Sequence, residues 1–181
     1  MAKKPQKKEQ QPRGRNLKGF IRKFISNEGS LKADLTDPKF EFGFNFLHPK
    51  GKAPNGKPLG RTFLIIKPKK KNFLELSTST TISLEHVQIL ESKSKKDDFL
   101  NNVAKLLLLK NTDYRILRER NQYIIMQRIY LNEKKEITED ILYATMRKLY
   151  ALDVYIVLII QEICSGKLDP SDIPSGPDFY T

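Results

Sequence analysis

The chain has no tryptophan, one cysteine and two histidines among its 181 residues. A lone cysteine, Cys164, forms no disulfide within the chain and supplies no cysteine cage for zinc. His48 and His86 stand apart from it and from each other, so no cluster has the spacing of metal ligands. No metal and no cofactor are expected. The opening residues MAKKPQKKEQ lack the apolar core of a secretory signal. Long hydrophobic runs are missing too: Leu152 to Ile163 is the greasiest stretch, and Asp153, Gln161 and Glu162 interrupt it. These absences predict a cytoplasmic protein that does not enter a membrane.

Catalytic patterns are equally scarce. The glycine-containing loop from Gly51 to Gly60 has neither a Walker nor a dinucleotide spacing. Ser79 or Ser83 could pair with His86, but no acidic third member and no nucleophile elbow accompany them. Glu139 and Asp140 are adjacent and suit the positive end of a helix. No catalytic residue is expected, and the chain reads as a binding protein, not an enzyme.

What is abundant is positive charge. Lys and Arg number 33 against 21 Asp and Glu, a net charge of +12 and a pI near 9.7. Such a balance favours polyanionic partners: RNA, DNA or an acidic protein surface. Residues 1–16 carry Lys3, Lys4, Lys7, Lys8, Arg13 and Arg15 with no apolar face. They are expected to form a disordered basic arm. The turn Lys67, Pro68, Lys69, Lys70, Lys71 and the later Arg115, Arg118 and Arg120 add further candidate phosphate contacts. Each also reads as an ordinary solvated tail or loop tip. Residues 167–181, with three prolines and three aspartates, are expected to be a second tail, leaving 17–166 as one domain.

Within that domain the hydrophobic period changes several times. Phe20, Ile21, Phe24 and Ile25 have helical spacing, so 17–26 predicts a short amphipathic helix. Leu31 to Thr36 predicts a weak strand. Phe40, Phe42, Phe44 and Phe46 alternate with polar residues and glycine, the pattern of a half-buried strand over 39–47. Strands follow at 61–66 and 73–78, then a helix over 84–90 with Ser83 as its cap. A capping pattern at Ser94 to Asp97 predicts the next helix, with Phe99, Leu100, Val103, Leu106 and Leu107 buried. Strands at 112–118 and 122–131 form a hairpin. A long helix closes the domain from a Thr138 cap to Cys164. The expected class is α+β: an antiparallel sheet of five to six strands flanked by helices, in the order α-β-β-β-(β)-α-α-β-β-α.

Two stretches carry more apolar surface than one small sheet should need. The strand 122–131 is apolar on both faces, with Ile124, Met126 and Tyr130 on the second. The helix from Val154 to Ile160 is apolar nearly all round. Ile124, Met126, Tyr130, Leu152, Tyr155, Ile156 and Ile159 are therefore candidate interface residues, for another protein or for a second copy in a homodimer.

The segments Gly60-Arg61 through Lys67-Pro68-Lys69, Thr81-Ile82-Ser83-Leu84-Glu85-His86 and Gln127-Arg128-Ile129-Tyr130 together resemble an archaeal family of uncharacterised domains. That family is related to the YbjN-like group and shares the fold of type III secretion chaperones. The resemblance covers Leu17 to Cys164 and departs at Leu84, where the family has a proline. It implies a small α+β domain, often dimeric, that holds protein segments on its sheet or helices, and it supplies no catalytic residue.

Overall fold

The computed structural model describes residues 16–52, 54, 56, 60–131 and 137–169. The arm's six candidate cations and the tail beyond residue 169 lie outside the described residues.

The first helix, α1, spans Leu17–Glu28, two residues beyond the predicted end. The Asn16 side chain accepts from the Gly19 N–H at 3.0 Å and caps its start. Ile21, Phe24 and Ile25 are its buried stripe. The chain then runs through β1 (Ser30–Asp34), β2 (Phe40–His48), β3 (Arg61–Pro68) and β4 (Phe73–Thr81). Two helices follow, α2 (Leu84–Ser92) and α3 (Lys96–Leu109). Then come β5 (Asp113–Leu117), a 3-10 turn (Arg118–Arg120), β6 (Gln122–Tyr130) and α4 (Glu139–Cys164). The six strands form one antiparallel sheet in the order β1-β2-β3-β4-β6-β5. The α+β class, strand count and element order match the sequence pattern.

Strand alternation sorts the sheet into two faces. Phe42, Phe44 and Phe46 of β2 point to the same side as Phe63 and Ile65 of β3, Leu74 and Leu76 of β4, and Tyr123 and Ile125 of β6. All of these belong to one core cluster, with Ile21, Phe24 and Ile25 of α1, Leu90 of α2, Phe99 and Leu107 of α3, and Leu149 and Ile156 of α4. The helices thus share one face of the sheet. Gly29 lets α1 lie this close: a Cβ there would sit 2.5 Å from the Leu47 carbonyl oxygen.

Several local expectations need correction. β4 continues through the hydroxyl run to Thr81, because threonine suits a pleated strand as well as a turn. Ser94 does not cap α3. It sits at φ 54 and donates its N–H to Glu91, so it ends α2; Lys95 takes the cap position without a side-chain bond. Asp97 and Asp98 in the first turn complement the helix dipole instead. Of the proposed interface residues, Ile156 and Ile159 are enclosed by the chain's own core at 0% and 3% exposure. The all-round apolar half of α4 is half sandwiched, since α2 and the sheet cover one side. Met126 is buried as well, within its own sheet face. Lys67 is buried rather than displayed on the turn: its Nζ donates to Glu41 Oε2 at 3.0 Å and to the Lys71 carbonyl at 2.7 Å.

Candidate functional site

Three features stand out once the core is subtracted. The first is the sheet face opposite the helices. Leu64 and Ile66 of β3 and Ile124 and Met126 of β6 point there, and none of them belongs to the core cluster. Register places Ser77 opposite Met126 and Glu75 opposite Arg128 on the same side. At one end Tyr130 pairs with Phe73, ring centroids 5.9 Å apart, and the Arg128 guanidinium lies over the Phe73 ring. Tyr130 is exposed, and Leu64, Ile66 and Ile124 are half-buried. Among the described residues no helix covers this face. Its border is charged: Arg128 reaches Glu75 at 3.4 Å and Asp113 at 3.7 Å. Burial is the largest single influence on Arg128 and lowers its pKa, but the Asp113 and Glu75 carboxylates and a hydrogen bond with Tyr130 together outweigh it and hold the pKa above its usual value. Arg115, beside Ile124, is exposed and makes no ion pair among the described residues.

The second feature is a cleft of about 410 Å³ on the helical side, between the end of α1, the start of the β2–β3 loop and one stripe of α4. His48 forms its floor. The ring is nearly perpendicular to Tyr143 and Tyr150, with centroids 6.4 Å away in each case. Its Nδ1 lies 2.9 Å from the Glu28 carbonyl oxygen. A carbonyl only accepts, so Nδ1 carries a proton, and Nε2 makes no hydrogen bond among the described residues. Arg147, between the two tyrosines on α4, completes the lining with Asn27, Glu28, Pro49 and Lys50.

The third is a buried polar group beneath α4. Asp153 is 0% exposed. Its Oδ1 accepts from Thr80 Oγ1 at 2.6 Å and from the Tyr123 hydroxyl at 3.0 Å. Arg61 Nε lies 3.0 Å from Oδ2, which has no aligned hydrogen bond, so that contact is an ion pair by proximity. Burial and the Asp153 charge push the Tyr123 hydroxyl far above its ordinary value of 10.0. Every member is a neighbour's partner, and Arg61 also reaches solvent, with 36% of its side chain exposed. The group ties α4 to β3, β4 and β6.

The remaining sequence candidates scatter. Lys69, Lys70 and Lys71 are exposed at the β3–β4 turn, next to the Phe73–Tyr130 end of the sheet. Arg118 and Arg120 lie at the β5–β6 turn, at the Thr81–Gln122 end. The nine residues of β4 between them span about 26 Å. Arg118 is engaged by Asp97 and Asn101 of α3. Leu152 and Tyr155 are half-buried on α4, on the far side of the sheet from Ile124 and Tyr130. The interface candidates therefore do not form one surface. Sequence reading missed the cleft and Asp153. The spacing of Tyr143, Arg147 and Tyr150 on one helical stripe was the available signal.

Among the described residues no group of three or more His, Cys, Asp or Glu side chains could hold a metal ion. No helix among them is long and apolar enough to cross a membrane. A family model described as "Uncharacterized conserved protein (DUF2299)" matches residues 17–160. The structure is similar to the crystal structure of an uncharacterized protein from Methanothermobacter thermautotrophicus, with a TM-score of 0.65 and 20% identity. That likeness covers 81% of this chain and 97% of the other, and it shows a shared fold. No curated protein matches the chain.

Proposed function

Because the chain belongs to the family of uncharacterized conserved proteins DUF2299, we propose its function from its surfaces: a non-enzymatic, chaperone-like adaptor that receives a segment of another protein on the helix-free face of its sheet. The observation that carries this reading is the separation of Leu64, Ile66, Ile124 and Met126 from the core cluster. Leu64 and Ile66 of β3 and Ile124 of β6 are half-buried on either side of the Ser77 and Glu75 side chains of β4, with Met126 buried among them; with no cover from the described helices, they are the centre of a docking face. The border supplies the partner's character. Arg115 makes no ion pair among the described residues, Lys32 Nζ reaches Thr62 on the same face, and Lys69 to Lys71 crowd one end. With a net charge of +12, the fitting occupant is an amphipathic segment whose polar side chains are acidic. A cytoplasmic site of action, kinship with the YbjN-like group and a secretion-chaperone mode of binding are parts of the same proposal.

The test uses two labelled amphipathic peptides with the same apolar pattern, one glutamate-rich and one lysine-rich. The full chain is expected to bind the acidic peptide, less tightly as salt rises. A Leu64→Glu/Ile124→Glu variant is expected to lose at least about tenfold in affinity, the scale of central interface residues. Equal binding by the double variant, or preference for the lysine-rich peptide, would sink the proposal. Sedimentation run alongside identifies a rival occupant: a dimer that Ile124→Glu splits puts a second copy on the face instead. The other reading, an RNA-associated protein of a large ribonucleoprotein, is favoured by charge alone. It requires affinity for RNA that falls linearly with the logarithm of salt, with a slope of about −0.7 per phosphate contact.

A further inference from the structure

We propose that the occupant of the helix-free face is an α-helix of another protein, lying along β4 with carboxylates on both sides of its apolar stripe. This inference rests on the docking reading above and adds the form of the occupant. It starts from the hydroxyl run that ends β4. Alternation puts Ser77, Ser79 and Thr81 on the helix-free face, because Leu74 and Leu76 face the core. The side chains next to the two serines are longer. Leu64 of β3 and Met126 of β6 stand on either side of Ser77, and Ile124 of β6 stands beside Ser79. Ser77 is buried among its neighbours, while Ser79 and Thr81 are exposed. β4 thus presents short side chains where the strands beside it present long ones, and a shallow trough follows this strand. One end is closed, since Glu75 takes the next position on this face of β4 and pairs with Arg128.

Dimensions and bonding both select a helix. β3 and β6 each pair with β4, so they lie two strand spacings apart, about 9–10 Å. A helix with its side chains is about 10–12 Å across. From Ser77 to Thr81 the trough runs about 13 Å, the length of about nine helical residues. An extended segment gains little here: from Glu75 to Thr78 the backbone of β4 is already paired on both sides, with β3 and with β6. A helix brings its backbone bonds with it and docks through side chains alone. Each of the four described helices already packs into the core cluster on the other face, so none of them is the occupant. Cations flank the trough on both sides. Arg115 of β5 is exposed and stands beside Ile124, and Lys32 of β1 donates to Thr62 on β3 at 3.3 Å. An apolar stripe at i, i+3, i+4 and i+7 with glutamates on both shoulders matches that arrangement.

Fluorescence polarisation of the full chain with three labelled acidic peptides tests it. The first carries its apolar residues at helical spacing, the second carries the same residues at alternating spacing, and the third is the first with a pair of central prolines. The first is expected to bind at least about tenfold tighter than either of the others, and to gain helical circular dichroism on mixing. Ser79→Leu separates a shaped seat from a flat apolar patch. It puts a longer side chain on the trough floor at an exposed position, so it is expected to weaken the first peptide at least about fivefold. A flat patch would instead gain affinity from the added apolar area. Unchanged circular dichroism of the variant alone confirms its fold, and the peptide comparison needs no variant. Equal or tighter binding of the alternating or the proline peptide overturns the helix and leaves the docking reading standing. So does binding of the first peptide that Ser79→Leu leaves unchanged or strengthens. If none of the three binds at millimolar concentration, the docking reading falls and this inference falls with it. A dimer that Ser79→Leu splits, seen by sedimentation in place of peptide binding, gives the trough to a second copy and also overturns the inference.

Discussion

Asp153 shows how a single residue can mislead and then explain. In the sequence it is a break in a greasy run, which argues against a membrane span and nothing more. In the structure it is the group that fixes α4 on the sheet, through Thr80 and Tyr123, with Arg61 balancing its charge. Its partners come from three strands separated from it by 30 to 92 residues, so no local spacing could have announced them. Tyr123 makes the network measurable. Its hydroxyl cannot ionise in the folded chain until far above pH 10.0, whereas in the unfolded chain it ionises near that value. Below pH 10 both states hold the proton and the interaction contributes fully. Above it the unfolded state sheds its proton and gains, so this contribution to stability falls as pH rises. Tyr123→Phe is expected to cost about 1.5–3 kcal/mol at neutral pH, the scale of a hydrogen bond to a charged group. The gap from wild type should narrow as urea midpoints are followed from about pH 8 to about pH 11. Comparing the two chains cancels the other alkaline titrations, including Tyr155, whose burial and neighbour Glu162 raise it. A gap that stays constant, or widens, would show that Tyr123 is not held neutral by this environment.

At the scale of elements, legibility depended on how local the determining pattern was. The four phenylalanines of β2 and the amphipathic first half of α4 announce themselves within a few residues, and both form where the spacing puts them. The pairing of β4 with β6 does not. It brings Phe73 beside Tyr130 and Thr81 beside Gln122 across two intervening helices, a choice settled by burial of both strands' inner faces. The cap of α3 was misread for a physical reason: Ser94 was needed to turn the chain out of α2 in a left-handed conformation, and could not also cap. Close approach between elements is equally invisible in a sequence. Gly29 is extended, at φ −144, so its backbone conformation is open to any residue. What requires glycine is the Leu47 carbonyl 2.5 Å from where a Cβ would lie, with the Phe46 ring at 3.1 Å. Gly29→Ala must push α1 away from β2, and overpacking of this kind costs about 1–3 kcal/mol. Thermal unfolding that leaves the variant as stable as wild type would mean that α1 is held less tightly than this geometry requires.

For the molecule as a whole, the consequential division is between the two faces of one sheet. Alternation along β6 made both faces apolar in the sequence, but could not say which one the helices take. The core cluster answers that: Tyr123 and Ile125 are in it, while Ile124 and Met126 are not. Ile124 and Ile125 are neighbours in the same strand with the same propensity, so substituting each isolates the face from the backbone. Ile125 is 0% exposed beneath the helices. Ile125→Ala removes buried methylenes and leaves a cavity, at a cost of about 2–4 kcal/mol. Ile124→Ala, on the helix-free face, is expected to cost within about 1 kcal/mol in an isolated chain. Urea unfolding at low protein concentration measures both. If the two substitutions cost the same there, that face is already covered within the chain, and the docking proposal fails with it. If Ile124→Ala becomes costly only as protein concentration rises, the face closes against a second copy, because association stabilises by mass action. Near-neutral cost at every concentration, together with loss of acidic-peptide binding, is the outcome an open receiving face requires.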